Sequence, residues 1–540
     1  MRDSEHTIMK NCTIQVSLVA LLLLSVHVFA AELPAESQSK PNIILILVDD
    51  MGYSDIGCFG GEIETPNIDQ LARKGLRFTQ FYNTGKCFPS RACLLTGVYA
   101  QQIGMDMPGT YRGGFRNALS IGEVLRSHGY RTYASGKHHS GENLIDRGFD
   151  HYYGLMEGAC NFWNPGYQQR EGEPPPGAKK KVIRAWTDDG KMDNAFTPPI
   201  GFYATDAFTD KALEWLDEPQ LKTQPFFLYL PYTAPHYPLH AWPEDIAKYE
   251  GRYDAGYEAI REQRYQRMQA LGIIDPGTPL PPWKGADWSS MKDKDKALMR
   301  RRMEVYAAMV DRVDQNIGRV LAKLKRQGKL ENTLIMFASD NGGCAETTHA
   351  KQAVNTVETI GKVESYDTVY KDWATVQNTP LRFWKNYSHE GGICTPLIVS
   401  WPGNITKPGR ITHQPGHFID ILATFVDITG ATYPTSSDGK ATVPLRGISL
   451  RPAFTGEPVK RKEPLYWHWM KGGAVRNGHW KAVFWEKNWQ LFDLAKDRNE
   501  QQNLARKHPK RLSELKAQWQ AWSDSKPAFN KVPSQLYLGP

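Results

Sequence analysis

The chain has 540 residues, of which 41% are hydrophobic, 23% charged and 11% aromatic, and 66 Lys and Arg against 58 Asp and Glu give a net charge of +8. That balance is globular and excludes a collagen, a coiled coil, a disordered tail and a multi-span membrane protein. The mild positive excess suits small anions or polyanions, and without a basic run or a recognition motif it does not support nucleic-acid binding.

Residues 16–30, VSLVALLLLSVHVFA, follow Arg2 and Lys10 and end in small residues around Ala30 and Ala31. The pattern is that of a signal peptide over 1–30. The run is shorter than the ~20 residues of a spanning helix, so the mature chain is expected to be exported, periplasmic or secreted, without stable membrane insertion. Of the seven cysteines (Cys12, Cys58, Cys87, Cys93, Cys160, Cys344 and Cys394), Cys12 leaves with the signal. Six in a chain this long do not make a disulfide-built scaffold.

The first mature element is the apolar run Asn42–Val48, which suits a strand buried on both faces and ends in Asp49-Asp50-Met51-Gly52. Thr65 and Pro66 open a helix that Gly75 closes, and Leu76–Tyr82 reads as a strand. Pro225–Leu230 and Thr333–Ser339 are further buried strands, the latter ending in Asp340-Asn341-Gly342, and 393–401 contains a fourth. Met303–Leu324 has helical periodicity with Val305, Met309, Val313 and Ile317 on one face. The fold class expected is α/β: a large, mostly parallel sheet covered by helices on both faces. Segments 155–200 and 246–300, rich in Pro, Gly, Trp and charge, read as insertions that either shape substrate access or are plain surface. From about residue 440 the pattern changes to a hairpin over 473–485, a strand at 489–494 and a helix at 509–522. The expected domains are a catalytic unit over 40–435 and a small C-terminal α+β domain with an antiparallel sheet over 440–540.

Two adjacent carboxylates at the end of a buried strand are costly unless a cation sits there, and open α/β sheets place their sites at that edge. Asp49, Asp50, Asp340 and Asn341 offer oxygen only, which suits Ca²⁺ or Mg²⁺ over Zn²⁺. The segment Gly85-Lys86-Cys87-Phe88-Pro89-Ser90-Arg91, followed by Leu94-Leu95-Thr96-Gly97, resembles the signature of the type I sulfatases, of the alkaline-phosphatase-like superfamily. Further matches fall in order: Asp49-Asp50, Lys137 and His139 in Gly136-Lys137-His138-His139, His236, Asp340-Asn341, and Lys385. The resemblance spans roughly 40 to 525 and is closest to the arylsulfatase branch.

The resemblance implies that a maturation enzyme oxidises Cys87 to formylglycine. The hydrated aldehyde attacks sulfur with one hydroxyl and expels sulfate with the other. It favours one Ca²⁺ held by Asp49, Asp50, Asp340, Asn341 and the modified residue 87. Arg91, Lys137 and Lys385 would hold the diol or the sulfate, Asp340 would take a proton from the attacking hydroxyl, His139 would break the adduct, and His236 would protonate the leaving alcohol. Phe88 departs from the small residue usual after the cysteine, which puts conversion in question. His240 and His389 could line the pocket, as could the aromatic and basic loops at Lys179-Lys180-Lys181 and Trp283 to Trp288. The expected activity is hydrolysis of aryl or carbohydrate sulfate esters. A formylglycine-dependent phosphonate or phosphodiester hydrolase stays open, as does an unconverted anionic-glycan-binding protein. Asn386 and Asn404 lie in Asn-x-Ser/Thr sites, and a glycan on Asn386 would obstruct Lys385.

Overall fold

A computed structural model describes residues 40–178, 185–348 and 350–527. The signal segment, Cys12 and the Lys179–Lys181 run lie outside the described residues. No helix among the described residues is long and apolar enough to cross a membrane.

The central sheet is built from β1 (Asn42–Val48), β2 (Leu76–Tyr82), β3 (Arg131–Ser135), β4 (His151–Leu155), β5 (Trp186–Asp188), β6 (Lys191–Asp193), β7 (Phe226–Pro231), β8 (Thr333–Ser339), β9 (Cys394–Ser400), β10 (Ile411–Thr412) and β11 (Gly416–His417). Its order is β10-β2-β9-β8-β1-β7-β3-β4-β5-β6, with β11 also on β2. The run β8-β1-β7-β3-β4 is parallel throughout. Every residue of β1, β7 and β8 is buried, which is why these strands read as unbroken apolar runs instead of alternating ones. β9 is antiparallel to both β8 and β2, so β2 points the same way as the parallel core.

The helix Asp293–Arg326 buries Met303, Tyr306, Val310, Val313, Ile317 and Val320. It begins ten residues before the sequence periodicity shows, because its first turns are exposed and charged, with Asp293 and Asp295 placed favourably at the N-terminus. Its Asp314 accepts the backbone N–H groups of Asn67 (3.1 Å) and Ile68 (2.7 Å). The helix Pro66–Lys74 is thereby capped by another helix. Segment 246–300 is more than surface. It carries the helix Gly256–Ala270, whose buried Arg264 pairs with Asp55 (2.6 Å) and Glu62 (2.7 Å). Trp283 and Trp288 lie 5.8 and 4.9 Å from the ring of buried Tyr257, so these aromatics pack on the body of the fold.

A minor ladder, β12 (Ser436–Ser437) with β13 (Lys440–Ala441), precedes a four-stranded antiparallel meander of β14 (Leu465–Trp469), β15 (Gly472–Asn477), β16 (Trp480–Trp485) and β17 (Asn488–Asp493). Directly opposed residues share a face. Val475, Ala482 and Leu491 form one face and pack with Leu515 and Trp519 of the helix Pro509–Asp524. Trp467, Ala474, Arg476, Lys481 and Val483 form the other. That second face meets the central sheet: Trp467 Nε1 donates to the Asn83 carbonyl at 2.7 Å, and Lys481 pairs with Glu390 at 2.9 Å.

Candidate active site

Strand direction alone brings the scattered motifs together. Asp49-Asp50 follow β1, Asp340-Asn341 follow β8, Lys137 and His139 follow β3, and His236 follows β7. Parallel register places these exits on one edge, with Val48 opposite Ser339 and Leu47 opposite Pro231. Cys87 follows β2, which runs the same way. Lys385 precedes β9, whose reversed direction puts its N-terminal end at that same edge. The turns there are tight. A Cβ on Gly342 would lie 1.8 Å from the Gly391 carbonyl oxygen, and one on Gly136 would lie 2.0 Å from that of Pro231.

Cys87 is the first residue of the helix Cys87–Thr96 and is buried. The loop before it is pinned by Gly85 N–H to Asn83 Oδ1 (2.7 Å) and by Thr84 N–H to Ser90 Oγ (3.0 Å). Arg91, one turn on, donates Nε to Asp340 Oδ2 at 2.9 Å and Nη1 to the Lys137 carbonyl at 2.7 Å. Lys137 Nζ pairs with Asp49 Oδ2. Lys385 Nζ contacts both oxygens of Asp50, at 2.7 and 2.8 Å. Asn341 Nδ2 donates to Asp50 Oδ1 at 2.6 Å, and His236 Nε2 lies 3.5 Å from Asp50 Oδ2. Every one of these side chains is buried.

Asp49 Oδ1 and Asn341 Oδ1 are buried without a hydrogen-bond partner among the described residues. Orphaned acceptors of this kind call for an explanation, and two bare oxygens beside paired carboxylates fit a hard divalent cation. Ligand atoms of Asp49, Asp50 and His236 lie within 4.8 Å of one another, so His236 also stands within reach of that place. Asp50 and His139 hold left-handed backbone angles, φ +67° and +60°. Such angles in non-glycine residues concentrate at functional sites.

Burial raises the Asp49 carboxyl, yet Lys137, His236, Arg91 and Lys385 outweigh it and hold it far below the usual range. Burial, then the adjacent Asp49 charge, pushes Asp340 up against the pull of Arg91. Burial lowers His236 to about 4 and holds His139 well below its usual value, with Lys137 and Arg91 adding to the effect on His139. Burial also pushes the Cys87 thiol up, against Lys137, Lys385 and Lys86. An unmodified Cys87 is therefore a protonated, weak nucleophile.

All the sequence-predicted residues (Asp49, Asp50, Cys87, Arg91, Lys137, His139, His236, Asp340, Asn341 and Lys385) meet at this edge. Two others do not serve it. His240 is locked between the Phe162 N–H and the Ser365 carbonyl at 3.3 and 3.0 Å, and His389 faces Gln490 at 3.2 Å. Sequence reasoning missed Lys86, Glu346 and Tyr111, and the second-sheet residue Trp469, whose ring lies 5.4 Å from Phe88. Only Lys86, next to Cys87, carried a local signal. The amide of Asn386 is engaged with Glu346 and Trp469 at 3.0 and 3.2 Å.

A mostly parallel sheet with carboxylates, buried cations and histidines gathered at the C-terminal edge defines an α/β enzyme of the alkaline-phosphatase-like class. Within that class the chain belongs to the sulfatase family. The family model described as Sulfatase matches residues 41–431, and that described as N-sulphoglucosamine sulphohydrolase, C-terminal, matches 381–521. The chain is 34% identical to an uncharacterized sulfatase of Schizosaccharomyces pombe, over 90% of this chain and 93% of that one. It is also 34% identical to an arylsulfatase of Klebsiella aerogenes, over 77% and 92%. Among solved structures, Ps i-CgsB superposes with a TM-score of 0.67 at 29% identity, over 92% of this chain and 96% of the other.

Proposed function

We propose that this sulfatase cleaves aryl or carbohydrate sulfate monoesters with residue 87 as the nucleophile after its oxidation to formylglycine, aided by one Ca²⁺. The observation that carries the reading is the charge of the buried site. Three carboxylates (Asp49, Asp50, Asp340) face three cations (Arg91, Lys137, Lys385), so the formal charges cancel when all six groups are ionised. A divalent cation on Asp49, Asp50, Asp340 and Asn341 would leave it positive, as an anionic ester requires, and would supply Lewis acidity. Formylglycine supplies a hydrated aldehyde in place of a thiol that burial keeps protonated.

The remaining roles fall to the chain's own groups. Lys137 and Lys385, anchored on Asp49 and Asp50, present fixed positive charge to sulfate oxygens and need no reorganisation when charge develops. His139, neutral through burial, accepts the proton of the residue-87 oxygen. His236 donates Nδ1–H to the Tyr237 carbonyl at 2.5 Å, which turns Nε2 toward the site. Neutral when free, it would take a proton from solvent at Nε2 as the sulfate anion binds beside it, and would then pass that proton to the leaving oxygen. Phe88 packs edge-on to His139 with ring centres 5.6 Å apart, so in this reading it walls the pocket and leaves the motif intact.

The carbohydrate half of the substrate class is supported by the solved complex of Ps i-CgsB with k-i-k-neocarrahexaose, at 28% identity and a TM-score of 0.65. The aryl half is supported by the Klebsiella relative. Residues 1–30 would direct export, and a formylglycine-generating enzyme would be the maturation partner. The test is the mass of the tryptic peptide Cys87–Arg91 from the native host. Replacement of the thiol by an aldehyde supports the reading, and an intact thiol in every active molecule ends it.

A further inference from the structure

Glu346 is a carboxylate that none of these roles uses. It lies five residues beyond Asn341, mostly covered, and takes three donors. Lys86 Nζ reaches Oε1 at 2.7 Å, Asn386 Nδ2 reaches the same oxygen at 3.0 Å, and Tyr237 OH donates to Oε2 at 2.9 Å. Each donor is the immediate chain neighbour of a residue placed in the chemistry: Lys86 precedes Cys87, Tyr237 follows His236, and Asn386 follows Lys385. The three segments exit from β2, from β7 and into β9, and Glu346 belongs to a fourth, after β8. Asn386 holds a left-handed φ of +79°, its N–H donates to the Gly85 carbonyl at 2.7 Å, and its Oδ1 accepts Trp469 Nε1 at 3.2 Å. A surface ion pair is loose and contributes little, whereas this carboxylate ties four loops at one point. Burial raises its carboxyl, yet Lys86 and Lys385 hold it well below the usual range, so it stays ionised.

We infer that Glu346 is a positioning residue that fixes the nucleophile at 87, His236 and Lys385 relative to one another through Lys86, Tyr237 and Asn386. The inference rests on the roles proposed above for those three. Displacements near 1 Å at reacting groups cost about a hundredfold in rate. Glutamine is the informative conservative change. Its amide oxygen at the Oε1 position would accept from Lys86 and Asn386, and its NH₂ would donate to the Tyr237 oxygen.

The experiment compares Glu346→Ala, Glu346→Gln and Tyr237→Phe with the wild type on 4-nitrophenyl sulfate, with kcat normalised to formylglycine content and KM read separately. The expected result is a fall in kcat of about a hundredfold for Glu346→Ala, KM little changed, and recovery of most of the rate in Glu346→Gln. Tyr237→Phe, which removes one tether, should show a smaller fall, and it decides the matter if the alanine variant does not fold. The inference is overturned if normalised kcat is unchanged in Glu346→Ala (or in Tyr237→Phe where that variant decides), if only KM moves, or if glutamine is as damaging as alanine. Cys87→Ala separates the two claims. If it is inactive while Glu346→Ala is fully active, only the clamp falls. If it stays active, the nucleophile reading falls first.

Discussion

Two buried ionic clusters sit within this fold, and they are built differently. At the junction with the C-terminal sheet, Lys481 Nζ pairs with Glu390 at 2.9 Å and Glu500 at 2.8 Å, Tyr82 OH donates to Glu390 at 2.8 Å, the Glu390 N–H donates to Glu500 at 2.8 Å, and Arg498 lies 3.3 Å from Glu390. Each carboxylate oxygen there lies within 3.3 Å of a cation or a donor, with Glu500 Oε1 meeting Lys481 as an ion pair and without a hydrogen bond. At the strand-end cluster Asp49 Oδ1 and Asn341 Oδ1 have no hydrogen-bond partner among the described residues. The carboxylates are buried in both places. The difference is one of degree: the strand-end cluster leaves two acceptors without a hydrogen bond, the junction one, and Lys481 stands 2.8 Å from that one. A closed network holds two sheets in register, whereas an open one is arranged for something that arrives.

The comparison breaks most sharply at residue 87. Cys87→Ala should lower kcat by about a thousandfold or more while the melting temperature stays near wild type, since the change is small and removes no ion pair. Measured turnover of a sulfate ester beside a thermal melt checks both halves. Lys385→Ala should cost roughly a hundredfold in kcat/KM, because it removes a fixed cation and leaves Asp50 short of a partner. Dialysis against a chelator should likewise depress the rate, with Ca²⁺ restoring it, and Asp49→Asn should weaken Ca²⁺ binding in calorimetry. Chelation that leaves the rate untouched would overturn the cation assignment.

The other cluster should answer in the opposite currency. Lys481→Met leaves Glu390 and Glu500 buried without their shared cation and should cost about 3–5 kcal/mol of stability, with kcat per folded molecule unchanged. Denaturant unfolding and active-site-normalised rates separate the two effects. The smallest expected effect is on acid stability. Burial raises the Glu390 carboxyl, but Lys481, Arg498 and Arg476 bring it from 4.5 down to about 2. Between those pH values the unfolded chain binds more protons at this position than the folded one. The Glu390 contribution is complete above pH 4.5 and is lost as pH falls toward 2, while the neighbouring Glu500, raised by burial and by Glu390, acts in the opposite sense. Lys481→Met should flatten that part of the stability–pH curve.

The sequence by itself determined the parallel core, the strand-end pairs Asp49-Asp50 and Asp340-Asn341, and the cysteine motif. A strand buried on both faces writes its burial as a continuous apolar run, and a motif of short span is local. β1 and β8 end where their runs end, at Asp49 and at Asp340. Where partners meet across the fold, periodicity is silent. The reversed direction of β9, which delivers Lys385 to the catalytic edge, is set by its neighbours in the sheet. Glu346 carries no local signal, because its three donors, in loops next to other strands, stand 260, 109 and 40 residues away in the chain. The helix Gly256–Ala270 reads as surface because the face it buries mixes Arg261 and Arg264 with Tyr257, Ile260 and Met268, which blurs the apolar period. Hydrophobic pattern reports how deeply a segment is buried, and only the order and direction of strands in the sheet decide what it is buried against.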